Sequence, residues 1–205
     1  TDQMLDSPTN NFATLNPLSK GISSGAGAVP LSEGNLEFTG SGTISTFGTY
    51  YSTLEIPDTE LHYFEMVPTA IGTAAKTSQK LNVAGVFFAA DGSTNTGSYG
   101  SAWSPADVIG VAVSPSGVWF SVNGVWQNSG DPVAGTNPAG TPWASTILTG
   151  DGSATTNSTL SGVLNFGQDS SFAGNKTRQG NTDANGIGDF YYAPPAGYLA
   201  LCSAN

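Results

Sequence analysis

The chain is poor in the residues that form cross-links and perform nucleophilic catalysis. Its 205 residues include one cysteine, Cys202, and one histidine, His62. A single cysteine excludes both an internal disulfide and a zinc site built from several cysteines. It leaves the redox compartment unspecified. His62 is the only imidazole base available to a serine or cysteine nucleophile. It lies in the apolar run "LHYFEM", without a nucleophile motif nearby, and we expect it to be a structural histidine.

Positive charge is scarce as well. Five basic residues stand against fifteen acidic ones, for a net charge of −10. Because nucleic-acid affinity comes largely from Lys and Arg contacts with phosphates, this balance argues against a nucleic-acid partner, and equally against anionic membrane surfaces. No apolar run reaches transmembrane length and no basic-then-apolar leader is present, so we expect no membrane insertion. Because the chain starts without Met and ends in "LCSAN", we expect it to be a piece of a longer polypeptide, and a processed chain is the alternative.

Helical periodicity is also missing, and many short strand-like segments stand in its place. They are four to nine residues long, rich in β-branched and aromatic residues, and bounded by Gly, Pro, Asn or Asp. This pattern predicts an all-β sandwich or barrel. We expect residues 1–30 to form an extended lead-in and residues 31–205 to form a single β-sandwich domain. The clearest of these segments are "LHYFEMV", "NVAGVFFAA", "DVIGVAVS", "GVWFSV", "GVWQN", "GVLNFG" and "YLAL".

The stretch "GVWFSVNGVWQNSG", residues 117–130, predicts a β-hairpin. Asn123-Gly124 suits a type I′ turn, whose two central residues both need positive φ. This turn pairs Val122 with Val125 and Ser121 with Trp126, and continued pairing would place Phe120 opposite Gln127 and Trp119 opposite Asn128. Because side chains alternate along a strand, Val118, Phe120, Val122 and Val125 share the core face, and Trp119, Ser121 and Trp126 share the opposite one.

The acidic residues do not mark a catalytic or metal centre. A glycosidase needs two carboxylates held several ångströms apart, and nothing in the sequence singles out such a pair. Asp107 fits the end of the turn before its strand. The segment "DANGIGD" has Asp183, Asn185 and Asp189 on one loop, but Ile187 stands where a calcium loop needs its third ligand, and an Asx-turn loop is favoured. We therefore expect no enzyme activity, no metal and no cofactor. The surrounding stretch, residues 169–190, is long enough to be functional or poorly ordered.

Four segments, in order along the chain, resemble the SPRY domain family. They are "LHYFEMV", then "WSPADVIGVAVSPSGVWFSVNGVW" with its aromatic strand and Asn-Gly hairpin, then "LNFGQ", and finally "PPAGYLAL". The resemblance covers roughly residues 31–201, and the four segments themselves lie between residues 61 and 201. The stretches "DSPTNNFATLNPL" and "FGQDSSFAGNKTRQGN" are similar to a SPRY-containing class of large virion-associated proteins of tailed bacteriophages. The resemblance implies two antiparallel sheets packed face to face. It also implies a non-enzymatic module whose loops contact protein partners.

The aromatic residues are the candidate binding residues, because rigid exposed rings anchor proteins or sugars. The alternative is that they seal the outer face of a sheet beneath long loops. For Trp119 and Trp126 the loop "QNSGDPVAGTNPAGTPW" could fold back over the hairpin, and its three prolines favour a fixed path. The candidates are Trp119, Trp126, Trp143, Tyr99 and Trp103.

The resemblance and the aromatic residues together predict a binding and structural module of a phage virion protein, exposed on the particle in a tail fibre or other appendage. Its expected partners are other virion proteins and a host-surface protein or glycan. Two alternatives stay open at this point. One is a purely architectural module that packs against other virion chains. The other, less favoured, is a carbohydrate-degrading tailspike enzyme, which would need a carboxylate pair in a groove.

Overall fold

The protein is an antiparallel β-sandwich. The computed structural model describes residues 10–22, 30–40, 48–57, 59–72, 76, 79–142, 148–151 and 160–205. Within these ranges the chain forms fifteen β-strands and short 3-10 turns, and no α-helix. The all-β prediction is confirmed.

The larger sheet has eight strands, and it contains most of the chain's longest apolar segments. Seven of them form a continuous order, which is β12 (Val125–Trp126), β11 (Gly117–Val122), β10 (Ile109–Ser114), β5 (His62–Ala70), β14 (Ser161–Asn165), β3 (Glu37–Phe38) and β2 (Leu31–Ser32). The eighth, β15 (Leu199–Ala200), pairs in parallel with the first two residues of β5, and β14 pairs antiparallel with the rest of β5. The central strand β5 is thereby enclosed by neighbours on both sides.

The smaller sheet has five antiparallel strands, and its first strand comes from the lead-in. Their order is β1 (Leu15–Ile22), β4 (Gly48–Ser52), β13 (Leu148–Asp151), β6 (Lys80–Val83) and β7 (Val86–Ala89). A separate two-stranded ribbon, β8 (Ser93–Thr94) and β9 (Gly97–Ser98), follows. Because β1 pairs with β4 and Leu15 is buried in the core, residues 10–22 belong to the sandwich and do not merely precede it.

The main core lies between the two sheets. Phe64 on β5, Val111 on β10 and Phe120 on β11 are fully buried from one side, and Phe88 on β7 is fully buried from the other. The rings of Phe88 and Phe120 stack with centroids 5.1 Å apart. This direct contact between strands of different sheets is the packing expected of a sandwich.

The hairpin at Asn123-Gly124 forms with the predicted turn. Asn123 has φ 50° and Gly124 has φ 78°, as a type I′ turn requires. Val122 pairs with Val125 and Ser121 pairs with Trp126. The predicted turn and its first two pairs are confirmed.

The predicted pairing beyond Trp126 is wrong. The pairs Phe120–Gln127 and Trp119–Asn128 do not form, because the chain leaves the sheet in a 3-10 turn over Gln127–Ser129. The buried Gln127 side chain fixes this departure. Its Oε1 accepts a hydrogen bond from Ser101 N at 2.8 Å, and its Nε2 donates one to Val125 O at 2.6 Å. The loop that follows is thereby directed across the outer face of the larger sheet.

Candidate functional site

The outer face of the larger sheet, turned away from the smaller one, carries a second aromatic cluster. Trp119 on β11 and Tyr63 on β5 flank Ala112 of β10 in direct register. Their side chains are 0% and 1% exposed. Trp119 therefore faces away from the main core, as the hairpin pattern predicts, and is nevertheless completely covered.

The loop that follows the hairpin covers Trp119. The indole Nε1 donates a hydrogen bond to Thr136 O at 2.7 Å, and a β-carbon at Gly130 would lie 2.9 Å from Trp119 Cδ1. Pro132 O in the same loop accepts a hydrogen bond from Tyr198 Oη at 3.0 Å. The prediction that this loop folds back over the hairpin is confirmed for Trp119.

The C-terminal part of the chain covers the rest of this face. Phe190 and Tyr198 are fully buried in the same cluster as Trp119. The Phe190 ring packs edge-on against Tyr63, with centroids 5.3 Å apart. Phe12 of the lead-in completes the cluster, and its backbone pairs with that of Cys202 in an isolated antiparallel β-bridge. The outer face is thus sealed by three separate segments of the same chain.

Two buried aspartates hold the 169–190 loop in a defined conformation. Asp183 Oδ1 accepts hydrogen bonds from Asn185 N at 2.9 Å and Ile187 N at 2.8 Å, which is the predicted Asx-turn arrangement. Its Oδ2 accepts from Ala200 N at 2.8 Å, so Asp183 also ties the loop to β15. Asp189 is 2% exposed and accepts from Ser170 Oγ at 2.6 Å.

Asp183 and Asp189 do not form part of a group of metal-ligating side chains in the described residues. In the parts of the chain that the structure describes, no three His, Cys, Asp or Glu side chains are grouped so that they could hold an ion. Asp189 forms an ion pair with Arg178, and Asp183 is occupied by main-chain N–H groups. These carboxylates stabilise turns.

Folding is therefore expected to be independent of divalent ions and of redox state. The melting temperature should not change on addition of a chelator or of a thiol reductant, because the Asp183 and Asp189 oxygens already have protein donors and Cys202 is the only cysteine. Differential scanning calorimetry with and without each reagent measures this. A chelator-induced fall well beyond scan error would contradict the assignment of these aspartates.

His62 occupies a structural position. It is 2% exposed on β5, between Val113 of β10 and Leu199 of β15. Its Nε2 lies 3.3 Å from Glu60 Oε2, although neither ring nitrogen makes a hydrogen bond of regular geometry. Burial lowers the His62 pKa, and the Glu60 carboxylate opposes this shift. A side chain so enclosed is not accessible as a base for a substrate.

Three of the five candidate binding residues have no surface to offer a ligand. Trp103 is fully buried, Tyr99 is 6% exposed, and both rings pack against Phe88 in the main core. Trp119 is enclosed by the loop described above. Their assignment as contact residues is corrected to a packing role, because the sandwich and its own loops cover them. Trp143 lies outside the described residues.

Of the four candidates that the structure describes, Trp126 is the one that remains partly exposed. It packs edge-on against Tyr63, with centroids 6.4 Å apart, and its other side remains half exposed. Val125 beside it was predicted to share the core face but is 66% exposed, because β12 is the edge strand of the larger sheet. Tyr192 is also half-buried and packs beneath the turn, where a β-carbon on Gly124 would lie 2.9 Å from its ring. We call Gly124, Val125, Trp126 and Tyr192 the tip surface.

Hydrogen bonds of the Asn123 side chain fix the turn of the tip surface to the segment just before β10. Asn123 Nδ2 donates to Asp107 Oδ1 at 2.7 Å, and Asn123 Oδ1 accepts from Val108 N at 2.9 Å. Asp107 Oδ2 accepts from Ser104 N at 2.7 Å, which confirms that Asp107 closes the turn before β10. A turn fixed to its neighbouring segment in this way presents its apolar side chains with less freedom to lose on binding.

The residue that sequence reasoning missed is Glu65, in the apolar run "LHYFEMV". It is 0% exposed and lies on the outer face in register with Gly110 and Asn165. Alternation along β5 places Glu65 on the same face as Tyr63. That alternation was the only sequence signal for an acid beneath the aromatic cluster, and nothing in the sequence indicated which loop would cover it.

Four donors surround the Glu65 carboxylate. Tyr63 Oη at 3.0 Å and Tyr192 N at 2.8 Å donate to Oε1. Tyr191 N at 2.8 Å and Asn165 Nδ2 at 3.3 Å donate to Oε2. Burial raises the pKa of Glu65 to about 7, against the opposing effect of these hydrogen bonds. Glu65 thus connects the central strand to the chain that carries Tyr192 of the tip surface.

Comparison with known proteins does not supply a family or a function. No protein-family model matches the chain, and no significantly similar curated protein was found. In the described residues, no helix has the length and apolar character to cross a membrane.

Proposed function

We propose that the chain is a SPRY-type binding module of a phage virion protein, and that it binds a protein partner through the tip surface. The observation that carries the proposal is the contrast across one aromatic face. The chain's own loops enclose Trp119, whereas Trp126 on the same face stays partly accessible, as do Val125 beside it and Tyr192 against the turn. The module performs no reaction; it supplies a rigid apolar contact.

The SPRY assignment is supported by where the resembling segments lie. "LHYFEMV" is on β5, "DVIGVAVS" is on β10, and the Asn-Gly hairpin joins β11 to β12. "LNFGQ" begins on β14 and "YLAL" contains β15. All of these strands are in the eight-stranded sheet, and each is hydrogen-bonded to another of the group. The segments therefore form one continuous structural unit, as a genuine family relationship would require.

The chemistry of the tip surface favours a protein partner. An exposed valine next to a partly exposed tryptophan, with a partly exposed tyrosine against the same turn, resembles the aromatic anchor of a protein interface. The net charge of −10 disfavours nucleic acid. A host-surface protein or another virion protein would each satisfy this surface, and both fit an exposed appendage of the particle.

Val125→Asp is expected to weaken partner binding at least tenfold, because a desolvated carboxylate is costly in an apolar contact. Val133→Asp is the matched control, since Val133 is 61% exposed against 66% for Val125 and lies on a different loop. The measurement is titration of the fluorescently labelled domain against intact host cells and against immobilised virion proteins. Saturable binding that is lost in Val125→Asp and kept in Val133→Asp supports the proposal. Absence of saturable binding to both, or equal effects of the two substitutions, would overturn it.

A further inference from the structure

Glu65 lies beside Tyr63 on the outer face of β5, where the C-terminal part of the chain crosses the larger sheet. Residues 189–192, here called the covering segment, cross the sheet at this position. The N–H groups of Tyr191 and Tyr192 each bind one carboxylate oxygen at 2.8 Å. Asn165 joins the two sides, since its Nδ2 also donates to Asp189 O at 2.9 Å. The carboxyl group is therefore the direct link between the sheet and the covering segment.

The groups around Glu65 are neutral or acidic. Tyr63 on β5 and Tyr191 and Tyr192 on the covering segment are phenols, and Asp107 lies beyond, where its charge acts on Tyr192. The other neighbours, Gly110 on β10 and Asn165 on β14, carry no charge. An ionised Glu65 is thus enclosed without a compensating positive charge.

The cations that contact the covering segment interact with residues other than Glu65. Arg178 forms an ion pair with Asp189, and the Lys176 ammonium lies 5.7 Å from the centroid of the Tyr191 ring. Among the described residues the ion pairs are Arg178–Asp189 and His62–Glu60, and neither includes Glu65. Burying a carboxylate without a cation is costly, and exposure to water relieves that cost.

The neutral carboxyl group fits the same position without losing a contact. A proton on Oε1 can be donated to Tyr63 Oη, because a phenol oxygen accepts as well as donates, while Oε1 keeps a lone pair for Tyr192 N. Burial raises the pKa of Tyr63, so this phenol keeps its own proton. The Ser121 hydroxyl and Tyr63 Oη both face Gly110, since a β-carbon on Gly110 would lie 2.4 Å from one and 2.7 Å from the other. The Tyr63 hydroxyl therefore has a second polar group nearby.

We propose that a proton on Glu65 fastens the covering segment to the sheet, and that loss of this proton loosens the segment and with it Tyr192 of the tip surface. The consequence for partner binding rests on the proposed function. The consequence for the covering segment does not, since it depends only on contacts within the chain.

The sign of the effect follows from linkage. The pKa of Glu65 is about 7 in the closed arrangement, against 4.5 for an ordinary glutamate. Because the proton is bound more tightly when the segment is closed, protonation favours the closed form most fully at pH below about 4.5, and this advantage is lost progressively as the pH rises from 4.5 to about 7. The shift corresponds to a change on the order of a hundredfold in the closing equilibrium.

Hydrogen exchange tests the proposal on the isolated domain, without a partner. Protection of the Tyr191 and Tyr192 amides, corrected for intrinsic exchange, should fall at least tenfold between pH 5 and pH 8. Protection of Val111 in the centre of the larger sheet is the internal control. In Glu65→Gln, which cannot titrate but leaves His62 in place, the protection should be nearly constant. Equal protection of wild-type protein at both pH values, or the same pH dependence in Glu65→Gln, would overturn the proposal.

A titration of the wild-type protein keeps the test decisive if Glu65→Gln does not fold. The carboxyl carbon of Glu65, followed by NMR, should titrate with a midpoint near 7, and a midpoint below 5 would contradict the proposal. Partner binding is then measured separately at the two pH values. Binding that is lost in Val125→Asp but unchanged with pH would contradict only the proposal that Glu65 protonation affects the tip surface. Amide protection that depends on pH, in the absence of partner binding, would contradict only the proposed function.

Discussion

Phe120→Ala is expected to unfold the domain or leave it barely stable. Phe120 is fully buried at the centre of the main core, where it stacks on Phe88 and meets the edge of Tyr99 at 6.5 Å between centroids. Removing a phenyl ring from a packed core costs about 3–5 kcal/mol, because the transfer free energy is lost and the cavity collapses only in part. Native domains have about 5–15 kcal/mol of total stability, so this loss is a large fraction of it.

The measurement is urea unfolding followed by far-ultraviolet circular dichroism. Val125→Ala is the control from the same hairpin, since Val125 is exposed and should change the free energy of unfolding by less than about 0.5 kcal/mol. A loss below roughly 1 kcal/mol for Phe120→Ala would show that the two faces of the hairpin are assigned the wrong way round.

Trp119→Ala should destabilise the protein by a similar amount, about 3–5 kcal/mol, although Trp119 is outside the main core. The indole is 0% exposed and its Nε1 is bonded to Thr136 O, so truncation leaves a cavity and removes one of the two hydrogen bonds that Thr136 O accepts, the other coming from Asp131 N. Trp126→Ala is the comparison, because Trp126 lies on the same face but remains half exposed. The free energy of unfolding should fall measurably in Trp126→Ala, but by less than in Trp119→Ala.

Thermal and urea unfolding of the two variants measure this difference. A Trp119→Ala protein as stable as wild type would mean that the loop carrying Thr136 does not pack on the indole. Equal losses for Trp119→Ala and Trp126→Ala would mean that the tip surface is buried as deeply as the centre of the outer face.

Much of the hairpin could be predicted from the sequence, because its signals are local. Positive φ at Asn123 and Gly124 follows from the residues themselves, and alternation then places Trp119 and Phe120 on opposite faces. The all-β class follows in the same way from short strands and frequent turns. These features depend on residues within a few positions of each other.

The features that could not be predicted depend on contacts between distant segments. The end of pairing after Trp126 is set by the Gln127 side chain, which reaches Ser101 in another loop. The role of Glu65 is set by main-chain N–H groups more than 120 residues away. Which aromatic rings stay accessible was likewise undetermined, because Tyr99 and Trp103 are buried by the smaller sheet's Phe88.

The most direct test of the sealed outer face, and of the tip surface as its accessible point, is acrylamide quenching of tryptophan fluorescence. In a Trp143→Phe background the remaining indoles are Trp103, Trp119 and Trp126, of which only Trp126 is accessible. Adding Trp126→Phe should remove the quenchable emission, whereas adding Trp119→Phe should leave it unchanged. Quenchable emission that disappears with Trp119→Phe and persists in Trp126→Phe would contradict the account.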